Sequence, residues 1–518
     1  MPTESGNLWG CRWTRHGDGT DREVVERLMR ELFVLFDLSV KQTANLSVEL
    51  YEYPGAPPSV RTSLAVCGDI PNVREDSAAS DENHRAAVHR LFKLQLYNLL
   101  RERFSLPAAP WGIMHGVRPT KIVHRWLDNG AEGQAIIERL ACDYAVSQAK
   151  AELLAEVALR QRPFLTAADS RSIGVYVGIP FCLSRCLYCS FPAYVLPSDT
   201  GLREFMAVLT KDITAAAREI SRYGFKVQSV YVGGGTPTAL PDAMFADMLN
   251  LVRDTFVGDV TTEFTVEAGR PDSMTAAKID CLKNCGVTRV SVNPQTMQER
   301  TLRFIGRRHT PGDILTMYDN LRQNGTWQIN MDVILGLPGE THSDVADTIN
   351  KLVALRPDDI TLHALALKKG SKLKLVLDKN SQSSEEVASG LERRIKLPSD
   401  DEARRMSEVA LAAIHKAGLR PYYLYRQGYM RGGLENIGCA RPGAESVYNI
   451  QIMEERQTIL GVGSAAVTKV SDKKFGGLKS AFNAKDLTTY LRDIDIYIDK
   501  RSRLLREAYG DKPRFLDV

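Results

Sequence analysis

Little in this sequence is extreme, and its absences narrow what it can be. No apolar run approaches the roughly 20 residues that cross a bilayer. The longest, "LFVLFDLSV" at 32–40, is broken by Asp37. The opening "MPTESGNLWGCRWTRHGDGT" contains no apolar h-region of a secretory signal. Charge of one sign is not in excess: 67 Lys and Arg against 63 Asp and Glu leave +4 over 518 residues. That balance argues against a dedicated nucleic-acid binder. No internal repeat and no long low-complexity tract is visible. A Walker-type lysine is missing, as is a G-x-G-x-x-G followed by a suitable acid, so nucleoside triphosphate and NAD readings lose support. Nine cysteines in so long a chain, without a signal peptide, point to a reducing compartment where thiols are ligands or core residues. The expectation is a cytoplasmic protein with no membrane span and no nucleic-acid partner.

What is present is a change of texture along the chain. A chain of this length is expected to hold two or three domains. Residues 1–165 read as a mixed α/β region of unassigned role. Helical spacing of apolar residues marks "REVVERLMRELFVLF" and "ENHRAAVHRLFKLQLYNLLRERF". Between them "NLSVELYEY" alternates like a strand. Residues 171–370 instead alternate short β-rich runs with amphipathic helices. The runs are "IGVYVGI", "VQSVYVGG", "TEFTVEAG", "TRVSVNPQ", "QINMDVILG" and "DITLHALAL". Such alternation implies βαβ units, right-handed crossovers and a parallel sheet, open or curled into a partial barrel. In either case chemistry is expected at the C-terminal ends of the strands. Residues 371–518 form a third region. It begins with "SKLKLVLDKNSQSSEEVASGLERRIKLPSDDE", charged and Ser-rich, expected as a mobile connection or extended surface loop. The aromatic- and Arg-rich "RPYYLYRQGYMRGGLENIGCARPGAES" follows.

The residues able to do chemistry fall just after those six runs. "GIPFCLSRCLYC" sets Cys182, Cys186 and Cys189 in a C-x3-C-x2-C spacing. Soft thiolates suit zinc or an iron–sulfur cluster. Three of them hold three irons of a [4Fe–4S] cube and leave the fourth iron open. A structural zinc completed by a distant ligand, or three core cysteines, remains the alternative. "GGGTPT", Gly233–Thr238, allows close approach of backbone to a ligand. Glu267 ends the third run, Gln295 the fourth, and Asp332 sits in the fifth. Carboxylates there can accept hydrogen bonds from ribose hydroxyls or an amino group. Cys281 and Cys285, i and i+4, read as part of a buried helix face, with a metal pair as the alternative. The "GVRPTK" loop suits phosphate or carboxylate binding, or a plain turn.

Together these features resemble the radical S-adenosylmethionine (SAM) superfamily. Within it they resemble the oxygen-independent coproporphyrinogen III oxidase group, most closely its HemZ-type branch, the coproporphyrinogen dehydrogenases. The resemblance spans roughly 171–470. It is carried by "YVGIPFCLSRCLYCSF", "YVGGGTPT", "VEAGRPDS", "RVSVNPQTMQERTLRFIGRRHT", "NMDVILGLPGE", "YYLYRQGYMRGGLENIGCARPG" and "SVYNIQIMEERQTILGVGS". In the N-terminal part "LPAAPWGIMHGVRPTK" adds to it. The fold it implies is a partial (β/α)6 TIM-type radical SAM barrel, preceded by an N-terminal α/β domain and followed by a C-terminal α+β extension on the substrate side.

The resemblance also implies roles. Cys182, Cys186 and Cys189 would bind a [4Fe–4S] cluster, with SAM on its open iron. Tyr176, Glu267 and Arg307 would be the catalytic set. Tyr176 lies in the family's Y-x-x-I-P-F-C, Tyr188 would pack on the adenine, and Gly234 and Glu267 would meet SAM. Gly235, Thr236, Gln295, Arg307, Asp332 and Ala366 would form a second SAM-type site. The substrate would be a tetrapyrrole, coproporphyrinogen III, two of whose propionates become vinyl groups with loss of carbon dioxide. Electron donor and acceptor are not named by the sequence. Four substrate carboxylates call for cations, and Arg426, Arg431 and Arg441 are the candidates. One position departs from the oxidases: two places after Cys189 they carry a further cysteine, where this chain has Phe191, as do the related haem chaperones.

Overall fold

The computed structural model describes residues 3–8, 11–16, 22–36, 44–51, 58–66, 70–77, 84–166, 171–368, 370–380, 395–427, 433–472 and 477–510. The chain divides into two compact units, Met1–Leu159 and Arg160–Val518.

The first unit carries a five-stranded sheet whose strands lie in chain order, from Thr3–Leu8 to Asn72–Ser77. Cys11–His16 and Ala44–Tyr51 pair in parallel, so a crossover is required between them, and helix Arg22–Leu35 supplies it. Helix Arg22–Leu35 buries Val25, Met29, Leu32 and Phe33 against Trp13, Leu64 and the Phe92 and Tyr97 of helix His84–Phe104. One buried polar group, Gln95, is satisfied by Thr62 Oγ1 at 2.7 Å and by the Val60 carbonyl at 2.7 Å. "GVRPTK" runs into helix Thr120–Asp128, with Pro119 at its N-cap.

The second unit is organised by an eleven-stranded sheet. Six of its strands correspond to the six β-rich runs: Ser172–Ile179, Lys226–Gly234, Glu263–Glu267, Arg289–Gln295, Gln328–Leu335 and Asp359–Ala364. They pair in parallel in chain order. The first strand is almost continuously buried, as expected where helices and an interior cover both faces. The crossover helices begin and end where local chemistry dictates. Ser198 caps helix Asp199–Tyr223, and Gly224, at φ +61°, ends it. Capping boxes from Thr310 with Asp313 and from Thr341 with Asp344 start helices Pro311–Asn324 and His342–Ala354.

The C-terminal residues add strands at both edges of the same sheet. Asn436–Ala440 pairs antiparallel with the sixth strand, and Thr458–Gly463 pairs parallel with the first. Two sequence expectations need correcting here. The stretch from 371 is not loop throughout: Lys372–Asn380 is a helix, seated by the buried Leu373; residues 381–394 lie outside the described residues. Arg441 is not on the substrate side. The antiparallel run of Asn436–Ala440 carries it to the N-terminal end of the sixth strand, where Nε and Nη1 donate to the carbonyls of Pro357 and Ala417 at 3.1 and 3.2 Å. Among the described residues no helix is long and apolar enough to cross a membrane.

Candidate functional site

A cavity of about 400 Å³ opens at the C-terminal ends of the six parallel strands. Its wall contains Tyr176, Cys182, Cys186, Tyr188, Cys189, Gly234, Gly235, Thr236, Glu267, Gln295, Arg307, Asp332 and Ala366. Every residue singled out from the sequence for cluster or SAM binding is thus brought to one surface. The volume lies within the range of small-molecule sites, about 300–1,000 Å³.

The cysteine loop is held from three sides. Phe181–Cys182 pairs with Tyr194–Val195. Leu187 donates to the Ile305 carbonyl at 2.9 Å, and Leu373 donates to the Leu187 carbonyl at 2.9 Å. The glycine turn closes beneath it: Gly235 and Thr236 donate to Ile179 and Phe181 at 2.8 and 2.7 Å. A Cβ at Gly235 would stand 2.5 Å from the Phe181 carbonyl, beside Cys182, and Gly234 adopts φ +117°. These two positions therefore require glycine. Cys182 Sγ lies 3.4 Å from Thr236 Oγ1.

Burial raises the Cys182 thiol, the Thr236 hydroxyl partly offsets this, and Cys189 and Cys186 raise it further. Cys189 is raised likewise, by burial first and then by Cys186. Three thiolates this close need positive charge among them, which iron supplies. The donor set fits a three-thiolate cluster.

Glu267 ends the third strand between Tyr231 Oη at 2.7 Å and the Gly234 amide at 3.1 Å. Burial pushes its carboxyl up to about 7, against the pull of the Tyr231 hydrogen bond, with Asp332 adding to the rise. Tyr176 sits opposite Tyr231 in the strand register, and Tyr231 stacks in turn on Tyr448 at a centroid distance of 4.5 Å. Burial raises Asp332, but hydrogen bonding and charge from His363 outweigh it, with help from Asn330 and Thr361, and hold it below the usual range. Asn330 donates to it at 2.8 Å, and His363 Nε2 lies 3.7 Å away. Arg307 is buried, with Nη2 3.4 Å from the Tyr188 hydroxyl and Nη1 bonded to the Asn293 carbonyl. Gln295 stands at φ +67°, in the region that favours glycine. Its Oε1, with Ser291 Oγ and Asn293 Oδ1, is buried without a hydrogen-bond partner. Orphaned acceptors lining one cavity suit a polar ligand.

Sequence reading missed Ser291, Asn293, Asn330, His363, Lys368, Tyr231, Tyr423 and Tyr425, all in this wall. The signal was period two: Ser291, Asn293 and Gln295 share one face of a strand, as do Asn330 and Asp332, and Thr361 and His363. Of the proposed carboxylate cations, Arg426 is absent from the wall, although Tyr425 and Gln427 on either side belong to it. Its Nη2 donates instead to the Gly433 carbonyl at 3.5 Å. Arg431 lies outside the described residues. Cys281 and Cys285 sit apart from the cavity, with sulfurs 4.0 Å apart and Cys285 facing Asn250.

A run of six parallel strands with three thiols in one cavity wall beyond their C-terminal ends fits the radical SAM class, and residues 176–352 match the family model described as the Radical SAM superfamily. That superfamily uses a [4Fe–4S] cluster and SAM. The chain is 35% identical over 420 residues to the oxygen-independent coproporphyrinogen-III oxidase-like protein HemZ of Bacillus subtilis (strain 168), covering 80% of each. It belongs to that oxidase-like family. It is also 26% identical over 292 residues to the heme chaperone HemW of the same strain, covering 56% of this chain and 69% of the chaperone. Among solved structures, coproporphyrinogen III oxidase (HemN) of Escherichia coli matches with a TM-score of 0.50 and 23% identity, over 65% of this chain and 72% of that one. This likeness supports the partial TIM-type barrel.

Proposed function

We propose that this protein is a radical SAM oxidase that converts two propionates of coproporphyrinogen III to vinyl groups, giving protoporphyrinogen IX. The observation that carries the reading is the convergence of the thiol triplet, Glu267 and the polar faces of the third to sixth strands on one cavity. Bound there, the cluster and SAM supply a radical able to take hydrogen from an unactivated C–H bond. Cys182, Cys186 and Cys189 hold three irons. Gly234 and Glu267 meet the amino group of SAM, Tyr188 packs on its adenine, and Tyr176 lies beside both. Gly235, Thr236, Gln295, Arg307, Asp332 and Ala366 line the same cavity and would contact substrate or a second SAM. Each propionate loses one hydrogen atom, then carbon dioxide and one electron, the last to an acceptor yet to be identified.

Glu267 makes this reading sensitive to pH. Burial holds its carboxyl near 7, and the anion is the stronger acceptor for the amino N–H of SAM. SAM affinity is therefore expected to fall below about pH 7, by about tenfold per pH unit for one linked proton. Glu267→Gln is expected to bind more weakly and lose that slope. Calorimetric titration on the reconstituted protein from pH 6 to 8 checks it; a wild-type affinity independent of pH would remove Glu267 from the SAM contact.

The second reading is a haem-binding chaperone without decarboxylase activity, favoured by Phe191 and by the HemW likeness. An anaerobic assay of reconstituted protein with SAM, reductant and coproporphyrinogen III separates the two. Vinyl products by chromatography are expected. Stable haem binding with no carbon dioxide released would overturn the oxidase reading.

A further inference from the structure

Four cationic side chains reach the cavity wall: Arg185, Arg270, Arg307 and Lys368. Three are committed to the protein. Arg270 holds Asp272 through two hydrogen bonds of 2.9 and 2.6 Å, and donates to Ser184 Oγ at 2.9 Å. Arg307 bonds the Asn293 carbonyl and the Tyr188 hydroxyl. Arg185 Nη2 donates to the Gly370 carbonyl at 2.9 Å. Only the ammonium of Lys368 has neither a hydrogen-bond acceptor nor a carboxylate partner among the described residues.

That isolation is not the looseness of a surface lysine. Lys368 is half-buried, and burial lowers its ammonium from the ordinary range. The segment bearing it is fastened on both sides. Leu365 donates to the Leu335 carbonyl at 2.9 Å, and Ser371 Oγ donates to the Lys368 carbonyl at 3.0 Å. The Arg185 bond to Gly370 and the Leu373 bond to Leu187 then tie the segment to the cysteine loop. Lys368 is thereby kept near Cys189, its one resolved charged neighbour. A positioned, partly desolvated ammonium without a hydrogen-bond acceptor is a cost the fold carries, which the Cys189 thiol only partly offsets, and a ligand carboxylate removes it. Two residues past Cys189, Phe191 lines the same cavity with 62% of its surface exposed. A point charge with three donors and a bare aromatic ring in the wall of one cavity match a flat apolar body that carries a carboxylate on a short arm.

We propose that Lys368 binds a carboxylate of the substrate while Phe191 supports the adjoining ring, and that this pair sets selectivity for tetrapyrrole acids. The inference rests on the tetrapyrrole reading above and names the contact it lacked once Arg441 and Arg426 are placed elsewhere.

The test is equilibrium binding rather than turnover. Coproporphyrin III and its neutral tetramethyl ester are titrated against the reconstituted protein by absorbance, in one cosolvent mixture. The wild type is expected to prefer the acid. Lys368→Gln should weaken acid binding by about tenfold, as loss of one charge-assisted hydrogen bond does, and leave the ester as it was. Lys368→Arg should keep most of the preference. Phe191→Ala should weaken acid and ester alike. Acid binding unchanged in Lys368→Gln, or acid and ester weakened equally, overturns the assignment. So does a loss of SAM affinity in its place, because the ammonium would then serve that ligand. An acid preference that depends on Lys368, with no vinyl product, would sink the oxidase reading alone. Vinyl product with a preference indifferent to Lys368 would sink this inference alone.

Discussion

Cys186→Ala, reconstituted without oxygen, is expected to lose the brown absorption of the cluster, most of its bound iron and sulfide, and all SAM cleavage above background. Cys186 is buried in the cysteine loop, and with Cys182 and Cys189 it lines the cavity wall. Two thiolates cannot fix a cube that three hold open at one corner. The fold itself should survive. Removing one sulfur costs the apoprotein about 1 kcal/mol, an ordinary substitution effect, because the loop is held by backbone hydrogen bonds from Leu187 to Ile305 and from Leu373 to Leu187. The larger change lies in the loaded protein: a ligand that binds only the folded state adds to its stability, so wild type should gain in melting temperature on reconstitution and the variant should not. Iron analysis, visible spectra and thermal scans of both proteins check this. A variant that kept about four irons would show that the triplet does not hold the cluster.

Arg501→Met is expected to be the most destabilising single change on the far side of the barrel. The Arg501 guanidinium is 1% exposed. It joins Asp212 at 2.6 Å and Glu219 at 2.7 Å, and donates to the Gly461 carbonyl at 3.2 Å. Asp212 also accepts from Tyr490, Asn483 and the Gly463 amide, so one carboxylate of helix Asp199–Tyr223 gathers Asn483, Tyr490, strand Thr458–Gly463 and, through Arg501, helix Ile494–Tyr509. Methionine fills the volume but leaves two buried carboxylates without their cation. Breaking such a pair from one side costs about 3–5 kcal/mol. The neighbouring Lys211–Asp495 pair joins the same two helices at 2.7 Å, but its side chains are 51% and 75% exposed. Lys211→Met should therefore cost under about 1 kcal/mol. Urea unfolding of the three proteins decides it, and equal midpoints for both variants would refute the buried network.

The contrast between these sites bears on what the sequence made legible. The six parallel strands were readable because a strand covered on both faces must be apolar along its length, and because each is separated from the next by a helix with a 3.6-residue pattern. The thiol spacing, the glycine turn and the acids at strand ends were readable for the same reason: they are local. What escaped notice depends on contacts distant in sequence. Arg501 reads as one more helix-surface charge until Asp212, some 289 positions earlier, is brought to it. Arg441 looks like an anion ligand until the antiparallel run before it sends it to the wrong end of the sheet. Lys368 follows a strand with no motif around it, and its meaning lies in a missing partner, which no sequence pattern records. Helix Lys372–Asn380 was overlooked because its charged composition resembles a linker, while the buried Leu373 secures it.

The pairing of Thr458–Gly463 with Ser172–Ile179 has a kinetic corollary. The strand leading into the cysteine loop acquires its outer neighbour only after nearly 290 further residues have been made. At a translation rate of roughly 5–20 residues per second, that is on the order of 15–60 s on the ribosome. Contacts so remote are slow to close. Throughout that interval the nascent strand that leads into the thiols keeps one edge unpaired.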